Sequence, residues 1–155
     1  MNIFQIIWNA ISTPNETLIN ISGIFLCFIE AYVNMCLFTT LLNIKSTKRN
    51  KLIYVITLSI AAFVFRIFLP NPLGTIINMT SMLILIMVIF KTNLIKGLFS
   101  VFIPIFLLSA LELFMFKFYL KIFSIPYDYV MTIPFHRVCF TLFIYLCIYL
   151  IYKLI

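Results

Sequence analysis

Lys45-Ser46-Thr47-Lys48-Arg49-Asn50-Lys51 decides how the rest of the chain is read. Four of the eleven Lys and Arg residues fall in this stretch, and a long apolar run flanks it on either side. A short loop this basic is retained on the cytoplasmic face, because Lys and Arg bias membrane insertion far more than acidic residues do. The stretch therefore orients everything else. It also marks a border from which depth along each neighbouring helix can be counted.

Of the 155 residues, 65% are hydrophobic and only 10% are charged, and the mean hydropathy is +1.19. A soluble domain has no way to cover that much apolar surface with so few charges, so lipid is the expected solvent. At roughly 20 residues per helical span, the length accommodates about five spans with short loops and no soluble catalytic domain. A transmembrane barrel needs alternation of polar and apolar residues. Runs such as Ser81–Phe90 are apolar nearly throughout. The expected class is an all-α integral membrane protein, five transmembrane helices preceded by an interfacial amphipathic helix. The net charge of +7 sits at span ends, where it meets anionic headgroups, and forms no separate basic face for nucleic acid. The N-terminus lacks the basic start of a cleavable signal peptide. Richness in Ile, Phe, Asn and Lys with only three Gly is the composition of an AT-rich bacterial genome.

Residues 1–12 are too short to span. Ile3, Phe4, Ile7, Trp8 and Ile11 follow helical spacing, which predicts a helix lying in the interface. Residues 13–155 form one five-span domain. Thr13-Pro14-Asn15-Glu16 reads as a helix start, with Thr13 capping, Pro14 in the first turn and Glu16 completing a capping box. The expected spans are residues 18–44, 52–69, 75–90, 97–116 and 135–153. Pro70-Asn71-Pro72-Leu73-Gly74 is a tight external turn, and Lys91–Lys96 is a second short basic loop. Pro104 is expected to kink the fourth span near Ser100. Lys117 and Lys121 share a face, so that helix is expected to extend outward until Ser124-Ile125-Pro126 stops it. Tyr127, Asp128 and Tyr129 read as an interfacial belt. Lys45, Lys48, Arg49, Lys51, Lys91, Lys96 and Lys153 border one side. The expected location is a bacterial cell membrane, multi-pass, with the N-terminus outside and the C-terminus cytoplasmic.

The polar residues of the spans fall at one level. Glu30, Arg66, Asn78, Glu112, His136 and Arg137 lie about 20–25 Å from the basic border of their own span, at ~1.5 Å of rise per residue. Asn34 sits one turn inward of Glu30 on the same face. Isolated charges at such depth cost several kcal/mol, and two carboxylates level with two guanidiniums can pair to offset it. The pattern is read as an outward-facing polar pocket lined by these seven residues, weighed against a buried network that merely fixes helix packing.

Signals for chemistry are weak. His136 and Cys139 are three residues apart on one helix with no third group to orient them, so a thiol peptidase is not supported. Cys27, Cys36, Cys139 and Cys147 lie inside apolar runs without metal-ligand or disulfide spacing, and no Walker loop, HExxH or dinucleotide motif is present. No catalysis, metal or cofactor is expected.

Several features resemble the membrane sensor region of GHKL-type histidine kinases from low-GC Gram-positive bacteria, the peptide-pheromone-receptor-like group. They are the Lys/Arg-rich first loop, the Pro70-x-Pro72-x-Gly74 turn and the short Lys91–Lys96 loop. A span carrying Pro104 and Glu112, and Ile133-Pro134-Phe135-His136-Arg137 before the last span, complete the set. The likeness covers Tyr32 to Ile155. In that family the last span continues into a cytoplasmic dimerisation helix and an ATP-binding kinase domain. This chain stops at Tyr152-Lys153-Leu154-Ile155, so the resemblance implies a sensor portion without its kinase. His136 lies inside a span and does not stand in for the family's phosphoacceptor. The expected function is a sensor or regulatory module of a two-component system, binding a small or peptidic ligand from outside and signalling through the last helix. Partners beyond the bilayer would be that ligand and a second copy or another membrane protein. A transporter's solute-binding subunit and an immunity- or assembly-type membrane protein are the alternatives.

Overall fold

The computed structural model describes residues 3–70 and 72–154, without the side chain of Glu16. The start of the first segment, Asn71 in the turn expected to be external and the Glu16 half of the expected capping box lie outside the described residues. Seven helices follow in order among the described residues: α1 (Ile3–Ser12), α2 (Glu16–Leu41), α3 (Lys48–Phe68), α4 (Leu73–Phe90), α5 (Leu94–Phe123), α6 (Tyr127–Thr132) and α7 (Pro134–Leu154). Five of them, α2, α3, α4, α5 and α7, are long and apolar enough to cross a membrane. The protein is all-helical and multi-pass.

Helix ends are set by side chains that satisfy the free backbone groups of the terminal turns. Asn15 caps α2, its side chain accepting from the Leu18 amide at 3.1 Å. The cap is therefore Asn15 and not Thr13, whose hydroxyl donates to the Asn9 carbonyl at 2.7 Å behind α1. Thr47 caps α3 by accepting from the Asn50 amide at 3.2 Å, and Asn93 caps α5 by accepting from the Lys96 amide at 3.3 Å. Both helices thus begin several residues before the sequence-derived starts at 52 and 97. Much of the basic stretch is the first turn of α3. Cations there oppose the helix dipole, so their position serves the membrane border and not helix stability. α2 ends earlier than expected, at Leu41, in a Schellman closure. Asn43 takes φ 47°, its amide donates to Thr40, and the Ile44 amide donates to Thr39 at 2.9 Å. The tyrosine-rich connection is not a plain belt, since Tyr127–Thr132 forms α6 and buries Val130.

α2 is the central helix. Some 56% of its apolar stretch is buried inside the protein, against 17–22% in the other four spanning helices. Gly23, Cys27 and Ala31, at intervals of four, put a strip of small side chains on it, and small residues let helices approach closely where lipid supplies no hydrophobic drive. α3 uses the approach, with Ser59 donating to the Cys27 carbonyl at 3.2 Å. α3 and α4 are pinned at the basic-loop end by Asn50 Nδ2 donating to the Ile89 carbonyl at 3.1 Å.

Two cores flank α2. Near the basic-loop end, Phe38, Tyr54 and Phe90 meet edge to face with centroids 5.5 Å apart, joined by Met82, Ile86 and Val101. Toward the other end, Val33 and Leu37 of α2 pack with Tyr119, Phe140, Ile144 and Ile148. α5 divides between them at Pro104. Before it, Val101 belongs to the first core, and Gly97 allows contact with α4 so close that a Cβ there would lie 2.9 Å from Leu83 Cδ1. Above it, Leu107, Leu111 and Met115 pack on the second core. Pro104 lacks an amide hydrogen and crowds the preceding turn. It falls where α5 changes neighbours, and a cavity lies beyond it.

Candidate functional site: a charged cavity between five helices

The cavity measures about 710 Å³ and is bounded by α2, α3, α5, α6 and α7. α2, α5, α6 and α7 each contribute two or more residues, and α3 contributes Arg66. On α2 the stripe Gly23, Cys27, Glu30 continues the face that meets α3, and Glu30 reaches the cavity. Arg66, in the last turn of α3, lies against α2 at Gly23, where an added Cβ would be 3.4 Å from its Nη1. A small residue there lets the guanidinium lie beside α2, on the same cavity lining as Glu30.

On α7, Arg137, Thr141 and Tyr145 recur every fourth residue and all face the cavity. The Thr141 hydroxyl donates to the Arg137 carbonyl at 2.8 Å. Tyr145 thus shares the lining of the cavity with Glu30. α5 supplies Ser109, Glu112, Phe116 and Lys117, again on one face. α6 closes one side with Tyr127, Val130 and Met131. Tyr127 is held by its ring contact with Phe116, centroids 5.1 Å apart.

Three cations, Arg66, Lys117 and Arg137, therefore face two carboxylates, Glu30 and Glu112, across one space. Among the described residues no carboxylate oxygen comes within 4.0 Å of a Lys, Arg or His nitrogen. The charges share a chamber without closing on one another. Like charges also feel each other, Arg66 with Arg137 and Glu30 with Glu112.

Of the seven residues singled out from the sequence, Glu30, Arg66, Glu112 and Arg137 line this cavity. The other three do not, and each for a reason of rotation or packing. Asn34 is 5% exposed within α2, its Oδ1 without a hydrogen-bond partner. Asn78 is on α4, which contributes nothing to the cavity, and its Oδ1 is likewise unpartnered. His136 turns toward α5, where Nδ1 shares a 3.1 Å hydrogen bond with the Tyr119 hydroxyl. Tyr145, Thr141, Tyr127 and Lys117 are not among the seven; the four-residue spacing of Arg137, Thr141 and Tyr145 is the sequence signal for two of them.

A second, almost wholly apolar groove of about 600 Å³ runs between α5 and α7, lined by Phe118, Ile122, Cys139 and Phe143 among others. The four cysteines are free thiols. Among the described residues no group of three His, Cys, Asp or Glu side chains is placed to hold a metal ion. The chain matches no protein-family model, no curated protein and no solved structure, so the site is interpreted from its own geometry.

Proposed function

We propose that this protein is a receptor-like sensor module of a bacterial cell membrane, which binds a small or peptidic ligand in the charged cavity and signals through α7. The observation that carries the reading is the set of Glu30, Arg66, Glu112 and Arg137 facing one chamber with no direct ion pair closed between them. Keeping such charges inside a bilayer is expensive, and a site that leaves them unclosed is suited to an occupant that completes them. The basic border, from Lys45 through Lys153, argues for the cytoplasm at the far end, which opens the cavity to the outside. α7 carries Arg137, Thr141 and Tyr145 at the cavity, and its Tyr152 packs against the core at the basic-loop end. A ligand that prefers one of two α7 positions shifts their populations and is felt at Lys153. In class, this reading agrees with the two-component sensor resemblance.

Catalysis is not part of the proposal. His136 Nδ1 meets the Tyr119 hydroxyl, and Cys139 lines the apolar groove.

Spin labels at Thr40 of α2 and Leu150 of α7, both exposed near the basic-loop end, test the coupling. Glu112→Gln and Arg137→Gln, made singly, should redistribute the distances measured between the labels. Identical distributions in the parent and in both folded variants would remove the signalling role.

A further inference from the structure

The lining of the cavity points to the chemistry of its occupant; resting on the reading of the cavity as a binding site, we infer that the ligand is an amphiphile with one oxyanion head and an apolar body. The charges on the wall do not balance, because Arg66, Lys117 and Arg137 stand against Glu30 and Glu112. They are also unevenly spread. Arg66 lies over Gly23, and α2 and α3 together place one cation and one carboxylate, Arg66 and Glu30, on the lining. α5 and α7 together place two cations, Lys117 and Arg137, against one carboxylate, Glu112, on the lining. The surplus cation therefore lies on the α5–α7 side.

An oxyanion fits that side for two reasons. A guanidinium binds carboxylate or phosphate through two parallel N–H donors, and charge-assisted bonds of this kind are the strong ones. A monoanion also brings the charge on the lining to neutral, whereas a cation would raise it, which matters for a site set within a bilayer. The body of the ligand is dictated by the rest of the wall. Leu113, Phe116, Tyr127, Val130 and Met131 form an apolar flank on α5 and α6 adjoining Lys117. The volume of about 710 Å³ is in the range of small-molecule sites, which are mostly apolar with few polar anchors.

The test uses the whole chain in nanodiscs of neutral phosphatidylcholine. The probe is 11-(dansylamino)undecanoic acid, whose emission rises in an apolar site, with its primary amide as control and empty discs as blank. The acid should bind saturably above the blank and the amide should not. Arg137→Gln should weaken the acid about tenfold or more, the worth of one charge-assisted hydrogen bond, and Lys117→Gln should weaken it less. Glu112→Gln should tighten it by removing an opposing carboxylate. Competition by decanoate identifies a free carboxylate as the natural head; competition by short-chain phosphatidic acid alone identifies a lipid phosphate. Either result supports the oxyanion. Equal binding of acid and amide, or indifference to Arg137→Gln in protein that still melts normally, overturns it. If dansylated decylamine binds instead and Glu112→Gln abolishes that binding, the cavity remains a binding site and only the ligand class is wrong. Binding of no probe that responds to any of these substitutions would overturn both.

Discussion

Gly23 offers the sharpest test of how the charged cavity is built. A Cβ at this position would lie 3.4 Å from Arg66 Nη1, which is ordinary contact, so alanine fits without displacing the guanidinium. Gly23→Ala should even stabilise α2 by about 0.5–1 kcal/mol, since glycine in a helix interior loses more chain entropy on folding. Leucine is different. Its γ and δ carbons need the volume that the guanidinium occupies, and inserting bulk into a packed contact costs about 1–3 kcal/mol. Arg66 must then leave α2, taking its charge away from Glu30. In an Arg66→Ala background the obstruction is gone, so Gly23→Leu should be neutral or mildly stabilising there. Equilibrium unfolding in mixed micelles, measured for parent, both singles and the double, gives the coupling energy. The expected value is about 1–3 kcal/mol, well outside the additivity scatter of about 0.5 kcal/mol for independent sites. Equal costs of leucine in the two backgrounds would refute the placement of Arg66 against α2.

Two further outcomes are expected. Tyr119→Phe removes the hydroxyl that meets His136 Nδ1 at 3.1 Å and should lower stability by about 0.5–1.5 kcal/mol; a melting temperature unchanged in detergent would mean the bond is not made. Single cysteines at Ser46 and Asp128, in protein without its four native cysteines, should label from opposite sides with an impermeant maleimide, Asp128 from outside; labelling of both from outside would overturn the orientation.

What was legible in the sequence is what depends on position along the chain. Apolar runs and their breakers marked five spans, and basic residues marked one border. Counting residues at a fixed rise placed Glu30, Arg66, Glu112 and Arg137 at one level, because that rise is the same whatever a helix packs against. Rotation about each helix axis is another matter. Asn78 shares the level but belongs to α4, outside the cavity. His136 precedes Arg137 by one residue, about 100° around the helix, and so meets Tyr119 while Arg137 meets the cavity. Tyr145 lies two turns from Arg137 and nothing in an aromatic-rich sequence marks it, yet it lines the same cavity as Glu30. The shift of α5 from the α4 side to the α7 side at Pro104 sets which faces look at one another. Level follows from covalent geometry and helix formation alone. Which side chains meet follows from packing between helices far apart in the chain, and that only the tertiary structure decides.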